Sequence, residues 1–382
     1  MYEIVKPILF RMGPEAAHSL VTGGVRATQS FVPPIIHPVY SYDRPELKQF
    51  LWRVFFASPV GLAAGFDKNA TMARALSSLG FGFLEVGSVT AKPSKGNPRP
   101  RLFRLESDKA LINRMGLNNH GAERIARRIK RIKHKGYAPL GINIAKTHDG
   151  DIVGEAAIDD FRESFRILSP LADYVTLNIS CPNTKEGTTF EEPAALTELL
   201  DAIFELRREM NSEVPVLVKL APPLSDKVVF DSLIEEIVSV CIEKGVHGFV
   251  ASNTAPDRKN LKTSSARLQK IGSGGLSGRP LFKRSTMLVN YIYSRVDRKV
   301  PIIGVGGIDS AEAAFEKILA GASLVQVYTG LVYKGPRLVK SIKSGMYQLL
   351  KKHGFASIKD AVGSGTEALH EAVDQSIIKP TG

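Results

Sequence analysis

The feature that most constrains the fold of this chain is a series of eight short apolar segments separated by stretches with helical periodicity. Each segment is apolar almost throughout, as parallel strands are when both faces of the sheet are covered. The segments are Val60–Ala64, Phe83–Gly87, Leu140–Ala145, Tyr174–Ile179, Val216–Leu220, Gly248–Ala251, Ile302–Val305 and Leu324–Tyr328. Amphipathic stretches between them, such as Ala194–Met210, Lys227–Lys244 and Ser310–Ala320, predict helices. Eight such units predict an α/β fold, a closed (β/α)8 TIM barrel, rather than an open sheet.

The first forty residues do not follow this alternation and predict a small N-terminal helical hairpin. Apolar residues spaced as on one helix face run from Ile4 to Met12, and a second helix begins at Pro14, which suits a first turn. Phe31–Ile36 is apolar and proline-rich, which predicts a stiff linker. The hairpin could pack on the bottom of the barrel or lie in a membrane interface. The domains expected are residues 1–40, the barrel at 41–352 and a C-terminal tail at 353–382.

The composition argues against a disulfide-rich or membrane-spanning protein, but it does not identify a binding partner. Two cysteines, Cys181 and Cys241, cannot build a disulfide framework and suit a reducing cytosol. No apolar run reaches the roughly 18 residues of a membrane-spanning helix. The net charge of +13 favours anionic partners, namely nucleic acid, an anionic membrane or small anions. Much of that charge lies in Arg124–Lys135, where isoleucines at helical spacing predict a barrel helix with solvated cationic faces.

A polar residue or a glycine stands at the C-terminal end of every predicted strand, where barrel enzymes carry function. These ends are Ala64–Asn69, Gly87-Ser88, Asn143, Asn178–Asn183, Lys219, Ser252–Thr254, Gly304–Gly307 and Tyr328-Thr329. Lys68 and Lys219 follow apolar strands, where a buried ammonium is costly without an anionic partner. The amides of Asn113–Asn119, together with the other strand-end asparagines, suit a ring with alternating C=O and N–H groups.

Two further features at the strand ends suggest chemistry. Gly304–Gly307 precedes a predicted helix, so its backbone N–H groups could bind a phosphate, and Gly274–Gly278 could complete that pocket. Cys181 lies between an apolar strand and Pro182, so a rigid loop would hold its thiol over the barrel mouth as a proton acceptor. Cys241 falls in a predicted helix and is expected to be an inert buried residue.

Six stretches are shared with one family of flavoproteins. They are Gly61–Lys68, Asn97–Arg104, Asn113–Asn119, Asn178–Thr184, Gly274–Leu281 and Pro301–Asp309. Together they resemble the dihydroorotate dehydrogenase family, and the similarity extends from about residue 1 to residue 355. The N-terminal segment, with Gly13–His18, is similar to the membrane-associated, quinone-dependent class 2 enzymes.

The resemblance implies oxidation of (S)-dihydroorotate to orotate, with FMN as hydride acceptor, in pyrimidine (UMP) biosynthesis. The FMN-binding residues it implies are Ala64, Gly65, Phe66, Asp67, Lys68, Ser88, Asn143, Asn178, Lys219, Ser252, Gly278, Gly307, Tyr328 and Thr329. The substrate-binding residues it implies are Lys68, Asn113, Arg114, Met115, Gly116, Leu117, Asn178, Asn183, Asn253 and Thr254. Cys181 would take the proton from C5 of dihydroorotate while C6 gives its hydride to the flavin.

The same resemblance implies the partners and the location. A membrane quinone would enter near His18 and Arg104 and reoxidise the flavin. Residues 1–40 would attach the protein peripherally to the cytoplasmic face of a membrane. No metal and no nucleic-acid partner are expected.

One residue departs from the class 2 pattern, and three alternatives remain open. Class 2 enzymes use serine as the base, whereas this chain has Cys181, as class 1 enzymes do. A fumarate-type acceptor is therefore an alternative. A tRNA-dihydrouridine synthase would share the FMN barrel and the Cys-Pro pair, but only about 30 residues follow Leu350, too few for its RNA-binding domain. A membrane-docked barrel that only senses a nucleotide is the non-enzymatic alternative.

Overall fold

The computed structural model describes residues 2–29, 31, 33–132, 138–180, 190–223 and 232–365. The strands in these ranges are β1 (Gln49–Leu51), β2 (Val54–Phe56), β3 (Val60–Leu62), β4 (Phe83–Val89), β5 (Leu102–Leu105), β6 (Ala110–Asn113), β7 (Leu140–Ile144), β8 (Tyr174–Asn178), β9 (Val216–Leu220), β10 (Gly248–Ala251), β11 (Gly275–Gly278), β12 (Ile302–Val305) and β13 (Leu324–Val327). The helices are α1 (Tyr2–Arg11), α2 (Pro14–Thr28), α3 (Pro33–Tyr40), α4 (Ala73–Ser77), α5 (Ala122–Ile132), α6 (Gly154–Leu168), α7 (Pro193–Glu209), α8 (Ser232–Glu243), α9 (Ser265–Ile271), α10 (Phe282–Arg295), α11 (Ala311–Leu319), α12 (Thr329–Lys334), α13 (Arg337–His353) and α14 (Ile358–Ala361).

Eight parallel strands close the barrel in the order β3-β4-β7-β8-β9-β10-β12-β13. They are the eight apolar segments of the sequence, with ends that differ from the prediction by at most two residues, so the TIM barrel is confirmed. Nearly every residue in them is buried, which explains why they lack polar alternation. The register pairs Asn178 with Lys219 at the ends of β8 and β9, so the strand-end polar groups become neighbours.

Aromatic side chains fill the lower half of the barrel. Small residues face them: a Cβ on Gly61 would lie 2.4 Å from the Phe83 ring, and one on Gly141 would lie 2.1 Å from the Tyr174 ring. The ring of Phe56, from the hairpin of β1 and β2, closes the bottom 5.5 Å from that of Phe83. Large and small residues alternate as barrel interiors require. Because this half is solid, the interior is open only toward the C-terminal ends of the strands.

The two long insertions, which follow the second and sixth barrel strands, form a second sheet that the sequence analysis did not predict. Strands β5 and β6 come from the first insertion and β11 from the other, and they pair antiparallel in the order β11-β6-β5. The pairing places Asn113 opposite Gly275 at the end of β6. This sheet therefore carries the Asn113–Asn119 segment and fixes where it lies over the barrel.

The N-terminal segment contains three helices rather than two. The prediction of a linker at Phe31–Ile36 is wrong, because α3 begins at Pro33, a residue that a first helical turn accepts. The Arg104 guanidinium on β5 donates to the carbonyls of Phe10 (3.2 Å) and Met12 (2.9 Å). The α1–α2 hairpin consequently lies beside the second sheet, toward the barrel mouth rather than on the bottom.

The remaining helices agree with the expectations from periodicity. In α5, Ile125 and Ile129 are fully buried while Arg124 and Arg127 are exposed, so the basic segment is a barrel helix as far as Ile132. Residues 133–135 of that predicted segment lie outside the described residues. At the C-terminus, α14 packs on α11, and the Gly363 N–H donates to the Ile318 carbonyl at 2.9 Å. Among the described helices, none combines the length and the apolar character needed to cross a membrane.

Candidate active site

A cavity opens at the C-terminal ends of the barrel strands. The predicted cofactor residues that line it are Ala64, Gly65, Lys68, Ser88, Asn178, Lys219, Ser252, Gly278, Gly307, Tyr328 and Thr329. The predicted substrate residues that line it, besides Lys68 and Asn178, are Asn113, Met115, Gly116, Leu117, Asn253 and Thr254. One cavity thus collects both groups, although they come from segments far apart in the sequence.

The amides at the strand ends hold one another in place. Asn253 Nδ2 donates to Asn178 Oδ1 at 3.1 Å and to the Ser180 carbonyl at 2.6 Å, and Asn178 Nδ2 donates to Ser88 Oγ at 2.9 Å. The Thr254 N–H donates to Asn253 Oδ1 at 2.9 Å. These bonds fix which end of each amide is donor and which is acceptor, so the hydrogen-bonding pattern exists before a ligand binds.

A buried carboxylate supports this layer from below. Glu85 accepts hydrogen bonds from Asn143 Nδ2 (3.0 Å), from Tyr174 Oη (3.1 Å) and from Gln326 Nε2 (2.8 Å). Burial, with the Glu85 charge second, raises the pKa of Tyr174 and keeps its hydroxyl a donor. Asn143 in turn accepts from Ser88 Oγ. Asn143 therefore does not line the cavity but orients a residue that does.

Gln326 is a cavity residue that the sequence analysis missed. Its Oε1 is buried and, among the described residues, has no hydrogen-bond partner. A buried acceptor without a partner is costly, so an N–H or O–H group of an occupant would stabilise the site. The sequence did contain an indication of this residue, because Gln326 is the polar residue of the otherwise apolar strand β13. Ser277, whose Oγ lies 2.9 Å from Thr329 Oγ1, also lines the cavity.

Three predicted site residues point away from this cavity. The Asp67 carboxylate accepts from the backbone N–H groups of Thr71 (2.8 Å) and Met72 (2.7 Å), so it fixes its own loop. Phe66 lines a second cavity instead. The Arg114 guanidinium donates to the Ile271 carbonyl on the outer side of the second sheet. Their proposed contacts with cofactor or substrate stay predictions.

Of the two cysteines, only Cys241 lies in the described part of the chain. Cys181 and Asn183 lie in residues 181–189, outside the described part of the chain. Cys241 lies in α8 and is fully buried, as expected of an inert residue, and burial raises the pKa of its thiol.

The glycine turn after β12 is shaped to bind an anion. Gly306 and Gly307 have φ of 121° and 71°, values that favour glycine, and a Cβ on Gly307 would lie 2.9 Å from the Phe282 nitrogen. Within the described residues, neither glycine N–H donates a hydrogen bond. Both glycines line the cavity, so unpaired donors are available to a phosphate there.

A second cavity lies between the N-terminal helices and the barrel. Its lining is mainly apolar and includes Ala17, Val21, Phe66 and Leu331, with His18 and Arg104 among the polar exceptions. The His18 and Phe66 rings meet edge-on at 5.6 Å, and Phe66 meets Tyr328 at 5.6 Å. Tyr328 lines both cavities, so a single side chain forms part of the wall between them.

A closed barrel with a glycine turn after its seventh strand and two adjoining cavities defines the class: a TIM-barrel enzyme with an anion-binding site at the barrel mouth. The profile of the family described as dihydroorotate dehydrogenase matches residues 46–350. The chain belongs to the dihydroorotate dehydrogenase family.

Full-length relatives agree with this assignment. The dihydroorotate dehydrogenase (quinone) of Roseiflexus castenholzii is 42% identical over 96% of this chain and 97% of its own length. That of Rhodococcus erythropolis is 42% identical over 95% of this chain and 99% of its own. The ligand-free DHODH structure from Eimeria tenella has a TM-score of 0.79 and 34% identity, and covers 89% of this chain and 98% of its own. The family resemblance seen in the sequence is confirmed.

The environment of His18 predicts a pH-dependent loss of stability. Burial, with Lys68 and Arg26 nearby, lowers its pKa from 6.5 to about 4. Because the folded protein resists protonation, stability is full above about pH 6.5 and falls as the pH drops toward 4. Between pH 7 and pH 5 we expect the wild type to lose about 2 kcal/mol more unfolding free energy than His18→Gln. Urea titrations at both pH values measure this difference; equal losses in the two proteins would contradict it.

Proposed function

We propose that this protein oxidises (S)-dihydroorotate to orotate, with FMN as its bound cofactor and a membrane quinone as electron acceptor, in UMP biosynthesis. The observation that carries the proposal is the pair of adjoining cavities, one lined by many polar groups and one mainly apolar, with Tyr328 in their common wall. A polar substrate and an apolar acceptor each have a site of matching chemistry. The relatives named above are quinone enzymes, which favours quinone over the fumarate-type acceptor.

The residues present fit FMN. The free N–H groups of Gly306 and Gly307, with the hydroxyl of Thr329, would hold its phosphate. Gln326 Oε1 would accept from an N–H of its ring, and the Lys219 ammonium would offset negative charge there. When bound, FMN supplies the acceptor for the substrate hydride and the donor of electrons to the quinone.

Dihydroorotate fits the amide layer beside this site. Its ring presents alternating C=O and N–H groups, which Asn113, Asn178 and Asn253 can pair from the cavity wall. The Lys68 ammonium, oriented by a 2.7 Å hydrogen bond to Asn118 Oδ1, suits the substrate carboxylate. Fixed donors and acceptors position the substrate without reorganising when it binds.

Cys181 is proposed as the base that takes the C5 proton, in the class 1 manner, within an otherwise class 2 chain. It directly follows Ser180, which is buried, donates to the Lys219 carbonyl at 3.2 Å and accepts from Asn253. These bonds anchor Ser180, the last described residue before Cys181, beside the substrate amides. A thiol also loses its proton far more readily than the serine hydroxyl of class 2 enzymes.

Substitution at position 181 tests this role. In Cys181→Ala we expect reduction of bound flavin by dihydroorotate to slow by about 100-fold or more, the usual contribution of a general base. Cys181→Ser should retain activity with its pH optimum moved upward, because a hydroxyl ionises at higher pH. Anaerobic stopped-flow absorbance across pH measures both effects.

The matched control is Cys241→Ala, which removes the cysteine buried in α8 far from the cavity lining. It should leave flavin reduction and its pH profile unchanged. Rapid flavin reduction in Cys181→Ala, with FMN still bound, would rule out the role of Cys181 as base.

The apolar cavity is proposed as the quinone site, and a side chain that fills it should separate the two half-reactions. Ala17 on α2 lines this cavity and is buried, whereas its neighbour Ala16 is exposed. We expect Ala17→Phe to slow flavin reoxidation by quinone by about tenfold or more while reduction by dihydroorotate is unchanged. Single-turnover kinetics of each half-reaction measure this.

The control for that experiment is Ala16→Phe, which adds the same group to the outer face of α2 and should leave both half-reactions at wild-type rates. If Ala17→Phe slowed both half-reactions equally, or neither, the assignment of the quinone site would be wrong.

The N-terminal helices are also proposed to dock the protein peripherally on the cytoplasmic face of a membrane. Large apolar side chains on α1 to α3 are exposed: Ile4 by 76%, Ile8 by 63%, Leu20 by 58% and Ile35 by 72%. Exposed apolar residues concentrated on short helices are typical of interfacial attachment. The apolar cavity opens among the same helices, so an acceptor dissolved in lipid would reach it directly.

Vesicle binding tests the membrane proposal. The double variant Ile8→Ser, Ile35→Ser should sediment less with phospholipid vesicles, because each change removes apolar surface from the interface. Phe50→Ser is the control, since Phe50 is 69% exposed on the hairpin at the other end of the barrel. Equal sedimentation of the double variant and the wild type would contradict the proposed docking surface.

A further inference from the structure

Lys317 is a fully buried lysine whose contacts are nearly all with neutral groups. Its Nζ donates to Ser285 Oγ at 2.6 Å and to Thr286 Oγ1 at 2.9 Å, and lies 4.9 Å from the centre of the Phe282 ring. Glu316, its neighbour in α11, is the acidic group that acts on it, but the described residues hold no salt bridge to Lys317. Burial lowers the pKa of this ammonium to about 7. A buried cation in this position is unfavourable unless a nearby anion compensates its charge.

Lys317 lies close to the glycine turn that lines the cavity. The side chain passes behind the last part of β12, two residues before the turn: a Cβ on Gly304 would lie 3.1 Å from Lys317 Cδ. Ser285, which accepts from Lys317, has its hydroxyl proton within reach of two acceptors, the Phe282 carbonyl at 3.1 Å and the Gly306 carbonyl at 3.3 Å. The chain Lys317–Ser285–Gly306 therefore connects the buried ammonium to the turn whose opposite side lines the cavity.

We infer that Lys317 is a positioning residue for the cofactor phosphate, fixing the Gly306–Gly307 turn from behind and favouring a phosphorylated flavin over an unphosphorylated one. The inference rests on the proposed FMN site. Lys317 does not line the cavity, so it acts through the turn and through its charge. A charge acts over several ångströms where protein rather than water lies between it and the anion. The phosphate would supply the opposite charge that the surrounding side chains do not.

A second buried lysine shows the ordinary structural arrangement and serves as the matched control. Lys343 in α13 is 2% exposed and donates to the Gly80 carbonyl at 3.0 Å, but its Nζ also lies 3.6 Å from the Asp43 carboxylate. Its neighbours belong to the opposite end of the barrel from the glycine turn. Its charge is therefore partnered within the protein and has no connection with the cavity.

The test compares dissociation constants for FMN and for riboflavin, which lacks the phosphate. Full-length wild type, Lys317→Met and Lys343→Met are freed of flavin by dialysis and titrated, with flavin fluorescence as the readout. We expect Lys317→Met to weaken FMN binding by about tenfold or more and riboflavin binding by less than about twofold. Lys343→Met should keep the wild-type ratio of the two constants.

The outcomes separate the inference from the proposed function. Equal weakening for both flavins in Lys317→Met, or no change for either, overturns the role of Lys317 while leaving the FMN site in place. A wild type that does not bind FMN overturns both. If Lys317→Met does not fold, Ser285→Ala decides, because it breaks the connection to Gly306 and keeps the lysine. It should lower the preference for FMN, and an unchanged preference overturns the inference.

Discussion

Closure of the eight-stranded sheet is the constraint on which the rest of this molecule depends. A closed parallel barrel turns half of its side chains inward, where space is limited and water is excluded. The lower half meets this condition with the rings of Phe83 and Tyr174 packed over Gly61 and Gly141. Above them, the Glu85 carboxylate gathers donors from three other strands. Only above that polar layer does the interior widen into a cavity, so the packing determines the depth of the site.

The sequence predicted the fold correctly for segments whose burial is the same along their whole length. The barrel strands are buried on both faces, and this leaves a continuous apolar pattern in the sequence. Strands β5, β6 and β11 leave no such pattern, because they are short and because β6 pairs with a segment more than 150 residues away, as Asn113 does with Gly275. Helix α3 was missed because its prolines, which suit a first turn, are equally common in linkers.

The candidate site was predictable in composition but not in the direction of its side chains. Strand ends indicated which residues gather at the mouth, since all parallel strands end on the same side. They did not show that Asp67 turns back to its own loop, or that Arg114 bonds outside the cavity. Nor did they reveal Glu85 and Gln326, which lie inside strands and whose role depends on partners from other strands. Such contacts join strands that are far apart in the sequence, so no local sequence pattern predicts them.

The wall that contains Tyr328 has a consequence for how the enzyme meets its two reactants. A charged, water-soluble molecule and a lipid-soluble one never need to share a chamber or an entrance. Neither has to leave before the other can approach, and neither has to be extracted from the phase it prefers. In the proposed function, the wall at Tyr328 would separate an aqueous reactant from a lipid-soluble one, and only electrons would need to cross it. Apart from Tyr328, the two cavities are lined by different side chains, so each can change in evolution without altering the other.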